Sequence, residues 1–191
     1  MSLEIVQYGH PVLRQKGDPI ASIDEEIQRL IEAMFVTMYE ASGIGLAAQQ
    51  IGRALQLTVI DVREVTDRPS TLEMDGQTAD VAGIMPLVLI NPEIHPVGNS
   101  QPGPEGCLSF PDIYADIARP EFVEVKALNQ SGDAVSFKAG GLLSRAIQHE
   151  IDHLNGILFI DRMPGDIKEE LKPELELMRK RTQEMLKKSK V

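Results

Sequence analysis

Between residues 22 and 38 the apolar positions recur at helical intervals: Ile27, Leu30, Ile31, Met34, Phe35 and Met38. At about 100° per residue they fall on one face, which predicts an amphipathic helix. Ser22 and Glu25 have capping-box spacing at its start, and Gly43 and Gly45 end it in a tight loop. Leu57 to Val62 (LTVIDV) is apolar without alternation, the pattern of a buried strand, and Leu87 to Ile90 repeats it before Asn91-Pro92. Thr66 to Pro86, between them, is polar and broken by proline and glycine, so an excursion loop is expected there. Phe122, Val123, Val125 and Leu128 predict a further strand, Gln130 to Asp133 a turn, and Ala134 to Lys138 the returning arm of a hairpin. A second helix is expected from about Leu142 to Leu154, closed by Asn155-Gly156. Ile157 to Ile160 reads as a last strand, and a terminal helix follows from about Ile167, with Pro173 near its start or at a kink.

Short mixed or antiparallel strands around one central helix, with a helix at the C-terminus, predict an α+β fold. A chain of 191 residues suffices for one well-buried domain, 1–191, with about 166–191 as a helical extension. No window approaches the roughly 20 apolar residues of a membrane span. The start, Met1-Ser2-Leu3-Glu4-Ile5, has neither a basic nor an apolar leader region, and the lone cysteine cannot form an intramolecular disulfide. A reducing cytoplasm is therefore the expected setting. The net charge of −10 argues against nucleic acid as the main target. Yet Arg179, Lys180, Arg181, Lys187, Lys188 and Lys190 crowd the C-terminus.

The chemistry concentrates in two places. Residues 149–153 read His-Glu-Ile-Asp-His, and the single cysteine lies in Glu105-Gly106-Cys107-Leu108-Ser109. At spacing i, i+4 the chain turns about 400°, so His149 and His153 project from one helix face and reach one cation. Glu150 lies about 100° round from His149, beside such an ion without competing for it. Cys107 is the third candidate ligand, which leaves a fourth position for water. One thiolate and two imidazoles look most like a tetrahedral zinc site on ligand softness.

Three blocks in order resemble the peptide deformylase family: Gly43-Ile44-Gly45-Leu46-Ala47-Ala48-Gln49-Gln50, then Glu105 to Ser109, then Gln148-His149-Glu150-Ile151-Asp152-His153-Leu154. His10-Pro11-Val12-Leu13-Arg14 is similar to the family's D-P-x-L-R start, so the likeness covers nearly the whole chain. The resemblance implies removal of the N-formyl group from new bacterial polypeptides by one divalent metal on Cys107, His149 and His153. It implies ferrous iron (Fe2+) as the native ion, with Zn2+, Ni2+ or Co2+ as substitutes. Glu150 would be the general base and acid of amide hydrolysis. The Gln50 side-chain amide and the Leu108 backbone N–H would stabilise the oxyanion. Gln49 competes for the Gln50 role on sequence alone. Gly43, Ile44, Gly45, Glu105 and Gly106 would line the peptide path, the glycines permitting close backbone approach.

Leu142, Arg145 and Ala146 share the helical face of His149, and the resemblance places that face along the methionine pocket. The Arg145 stem is expected to line the wall while its head stays wet. Asp152 is expected in solvent or behind the ligands, and His10 and His95 as bystanders. Two other readings stay open. A thermolysin-like peptidase would take Glu169 or Glu170 as third ligand. A non-catalytic ribosome- or peptide-binding protein would keep a structural metal, and in either case the basic C-terminal helix could meet ribosomal RNA. A metzincin is excluded, because its third histidine position is Phe159.

Overall fold

The computed structural model describes residues 2–189. Helix α1 (Glu25–Glu40) leads into strand β1 (Gly45–Ala47) and then β2 (Leu57–Ile60), β3 (Ser70–Met74) and β4 (Gln77–Ala79). The long strands β5 (Leu87–Cys107) and β6 (Phe110–Leu128) follow, then β7 (Ala134–Gly140) and helix α2 (Gly141–Leu154). Helices α3 (Gly165–Glu170) and α4 (Lys172–Lys188) complete the chain. The strands form one antiparallel sheet in the order β1-β2-β5-β6-β7-β3-β4, so the architecture is the expected α+β. Among the described residues no helix is long and apolar enough to cross a membrane.

The two unalternating apolar runs are explained by burial on both faces. Ile60, Leu87 and Leu89 pack with Leu143, Ile147 and Ile151 of α2. Leu57, Val59, Val88 and Ile90 pack with Ile27, Ile31, Met34 and Met38 of α1. The sheet is thus sandwiched here, and α2 is buried along almost its whole length. A third cluster joins Phe110, Ile113 and Ile117 to Leu13, Phe159 and Leu175, tying the tip of the β5–β6 hairpin to the start of α4.

Several expected boundaries move. The α1 cap is Asp24, whose carboxylate accepts from Ile27 N at 3.0 Å, rather than Ser22; aspartate caps as well as serine, and it stands nearer the first turn. The Thr66–Pro86 excursion holds a hairpin, β3–β4, turned by Asp75 (φ 50°) and Gly76 (φ 76°). An Asp-Gly pair at two left-handed positions is a strong hairpin signal, and it was present in the sequence. Strand β5 does not stop at Asn91-Pro92: Asn91 takes φ 49°, the register shifts, and pairing with β6 runs on to Cys107. Beyond Ile90 its other edge has left β2, so Pro92, Pro96, Pro102 and Pro104 can face an unpaired edge. Ile157–Ile160 is not a strand; Leu158 N donates to Asp161 Oδ2 (2.9 Å) and a 3-10 turn forms over Phe159–Asp161. Four apolar residues fit a buried turn as well as a strand. Pro173 sits in the first turn of α4, where its missing N–H costs nothing.

Candidate active site

Helix α2 and the end of β5 meet across a cleft of about 640 Å³. Its wall includes Gly43, Ile44, Gly45, Gln50, Glu105, Gly106, Cys107, Leu108, Leu142, Arg145, Ala146, His149 and Glu150. The ligand atoms of Cys107, His149 and His153 lie within 4.8 Å of one another, and Cys107 Sγ is 3.3 Å from His153 Nε2. The two histidines share one face of α2 as their spacing requires, with ring centroids 5.1 Å apart. Cys107 joins them because β5 ends there in a two-residue turn, Leu108–Ser109, before β6 begins.

Glu105 orients the first imidazole. Its carboxylate is 3.0 Å from His149 Nδ1 and accepts from Arg119 Nε (2.5 Å), Arg119 Nη2 (2.9 Å) and Arg145 Nη1 (2.9 Å). Burial raises the Glu105 pKa, but the hydrogen bonds from His149 and Arg119 outweigh it and hold the carboxyl at about 2. An ionised carboxylate can only accept, so Nδ1 of His149 carries the proton and the Nε2 lone pair is left for a metal. Burial followed by the positive surroundings of His149 and Arg119 lowers His153 well below its usual value, which keeps its ring in the neutral, ligating form. At His149 burial also lowers the pKa, but hydrogen bonds to Cys107 and Glu105 win and raise it to about 10. A metal ion and that second proton would compete for Nε2, so the lone pair is free for the ion once the proton leaves. The donor set fits one divalent ion.

Glu150 is buried, and its Oε2 has no hydrogen-bond partner among the described residues. Desolvation raises its carboxyl to about 7, against the charges of His149 and Arg119. A Cβ on Gly45 would stand 2.3 Å from Glu150 Oε1, so this glycine leaves the room the carboxylate occupies. Gly43 likewise makes space for the Leu108 side chain, 2.7 Å from where its Cβ would be. The two neighbouring glutamines separate cleanly. Gln50 accepts from Ala47 N (2.8 Å) and turns its Nε2 to Cys107 Sγ (3.5 Å) and Ser109 Oγ (3.4 Å). Gln49 instead faces the Leu154 carbonyl at 3.4 Å and lies outside the cleft wall.

One expectation needs correcting. The Arg145 head is not wet: its nitrogens donate to Glu105, to Ile117 O (2.7 Å) and to Gln101 O (2.8 Å). Asp152 takes the second of its two expected places, behind the ligands; it is buried and accepts from Arg119 (2.8 Å) and Arg162 (2.5 Å). Arg119 and Arg162 were missed in the sequence. They complete a network of two carboxylates and three guanidiniums behind His149, buried at Glu105, Arg119 and Asp152 and open to solvent at Arg162. Glu105, expected along the peptide path, does line the cleft, but its carboxylate is committed to this network. His10 caps the Pro11–Arg14 turn through Nδ1, 3.2 Å from Val12 N, and His95 lies on the outer part of β5. Glu169 and Glu170, the ligands a thermolysin-like site would need, are exposed on α3, and neither joins the cluster.

Comparison with known proteins shows the family. The family model for polypeptide deformylase matches residues 2–169. A peptide deformylase of Opitutus terrae is 48% identical over 165 residues, 85% of each chain. One from Methylacidiphilum infernorum is 46% identical over 180 residues, 94% of each chain. The crystal structure of a Synechococcus elongatus peptide deformylase, in complex with actinonin, superposes with a TM-score of 0.76 at 41% identity. That match covers 90% of this chain and 85% of the other. Fold, cluster and sequence together place this chain in the polypeptide deformylase family.

Proposed function

We propose that Cys107, His149 and His153 hold the metal, and that Glu150, Gln50 and Leu108 carry out the proton transfer and charge stabilisation of deformylation. The family reaction itself is the removal of N-formyl groups from nascent polypeptides, with one divalent metal per site. The observation that carries our assignment is a buried carboxylate with one oxygen unpartnered among the described residues, lining the same cleft as Cys107 and His149, two of the three residues whose ligand atoms converge. When bound, the metal supplies Lewis-acid polarisation and eases deprotonation of water. Glu150 accepts the proton of the water that adds to the formyl carbon. As the C–N bond breaks, it passes that proton to the leaving nitrogen, so the products are formate and a free amine. Gln50 Nε2 and the Leu108 N–H hold the oxygen on which negative charge develops. The Leu142, Arg145 and Ala146 face receives the methionine side chain. Gly43, Ile44, Gly45 and Gly106 let the peptide backbone come close, and Glu105 acts through His149. Residues 1–191 act as one catalytic unit, with about 166–191 as its helical extension.

We assign ferrous iron as the native ion, on family grounds and not on the donor set. The test is anaerobic purification, with metal analysis and formate release from formyl-Met-Ala followed before and after aeration. Iron with rapid loss of activity in air is expected, since the metal and its thiolate both oxidise. Full activity after prolonged aeration would point to zinc or another redox-quiet ion.

Helix α4 exposes Arg179, Lys180, Arg181, Lys187 and Lys188, while Lys190 lies outside the described residues. We propose that this basic half of the helix docks on ribosomal RNA. Because Leu175 and Thr182 are buried, charge reversal suits the test better than truncation. Arg179→Glu, Lys180→Glu and Arg181→Glu together should abolish salt-sensitive co-sedimentation with ribosomes. Equal pelleting of both proteins would remove the idea.

A further inference from the structure

Of the block Glu105 to Ser109, Ser109 alone has no part in the chemistry proposed above. It is fully buried and lies outside the cleft wall, so a substrate in the cleft does not reach it. What it does reach is Gln50. Gln50 Nε2 donates to Ser109 Oγ at 3.4 Å and to Cys107 Sγ at 3.5 Å, while Gln50 Oε1 accepts from Ala47 N at 2.8 Å.

A buried serine in a tight turn is ordinarily a matter of size. Two observations set this one apart. The first is that these contacts fix the Gln50 amide at both ends. The Ala47 N–H can face only an oxygen, so the orientation of the amide is settled; one N–H then goes to the serine and the other turns to Cys107 at the cleft. The second is that the N-terminal arm stitches together the backbones of the same two residues: Val6 N donates to Gln50 O (2.8 Å) and Tyr8 N to Ser109 O (2.9 Å). Gln50 follows β1 and Ser109 lies between β5 and β6, so two separate elements are held at one spacing. Leu108, whose N–H is the other donor to the developing charge, is the chain neighbour of Ser109.

We propose that Ser109 is a positioning residue: it holds the Gln50 amide so that its second N–H points at the oxygen on which negative charge develops. The inference rests on the deformylase reading of the cleft. An unanchored glutamine end rotates, and that freedom has to be given up in the transition state. An amide already tied by Ala47 and Ser109 needs no such reorganisation. The 3.4 Å contact is long, as hydrogen bonds of a free enzyme often are before substrate draws them in. The benefit falls on kcat, because the charge that the amide meets is present only in the transition state.

The test is a double-mutant cycle on formyl-Met-Ala, with metal content and melting temperature read beside kcat and KM. Gln50→Ala should lower kcat by about a hundredfold. Ser109→Ala should lower kcat by about tenfold, with KM and bound metal unchanged. In the Gln50→Ala background Ser109→Ala should change nothing, since the side chain it acts through is gone. Full turnover in Ser109→Ala, loss of its metal, or the same fall in kcat in both backgrounds overturns the inference. Failure of the deformylase reading would look different: full turnover in Gln50→Ala, or no formate from the wild type at all.

Discussion

Glu150→Gln is expected to fold, to retain its metal and to lose about a thousandfold in kcat. The substitution keeps the size and shape of the side chain and removes only its ability to take up a proton. Glu150 is buried on α2 with one oxygen unpartnered, so the charged form is costly to hold and its carboxyl rises to about 7. Glutamine relieves that cost, and thermal stability should be equal or higher. Lower stability together with lost activity would instead assign Glu150 a structural role. Gly45→Ala approaches the same carboxylate from the other side. Its Cβ would stand 2.3 Å from Oε1 and 2.8 Å from Cδ, so the group must move. Misplacement by about 1 Å is expected to cost roughly a hundredfold in turnover while leaving the metal bound. Formate release from formyl-Met-Ala checks both variants. Glu150→Gln activity above about a tenth of wild type would remove the acid–base role.

What could be read from the sequence was mostly local. The spacing of Ile27, Ile31, Met34 and Met38 fixes one face of α1, and these residues are buried. His149 and His153 converge because i, i+4 on a helix leaves them little choice. The runs at Leu57 and Leu87 marked strands buried on both faces, though their ends did not follow. The length of β5 was hidden by prolines, which interrupt a strand only where its N–H groups are needed. Whether they are needed depends on β2 ending opposite Ile90, a tertiary fact.

The support behind the ligands was the least legible part. Arg119 lies 14 residues from Glu105 and 33 from Asp152. Charged residues on a strand and a helix look solvated one by one, and no periodicity announces that they will meet inside. The choice between Gln49 and Gln50 was likewise undecidable locally. In space the two part: of the pair, only Gln50 turns its amide to Cys107 and Ser109.

The second large effect is expected at Cys107. His149 and His153 come from one rigid helix, whereas the thiol comes from a separate hairpin and closes the cluster. Removing it leaves two imidazoles, too few to hold a divalent ion against dilution or chelator. Cys107 is half-buried at the cleft, so Cys107→Ala should remain folded. The decisive measurement is metal content per chain in Cys107→Ala after dialysis against a chelator, beside wild type treated alike, with formate release assayed on the same samples. About one ion per wild-type chain is expected, almost none in the variant, and no formate from it. A variant that keeps its ion and its turnover would contradict a site built from one sulfur and two ring nitrogens.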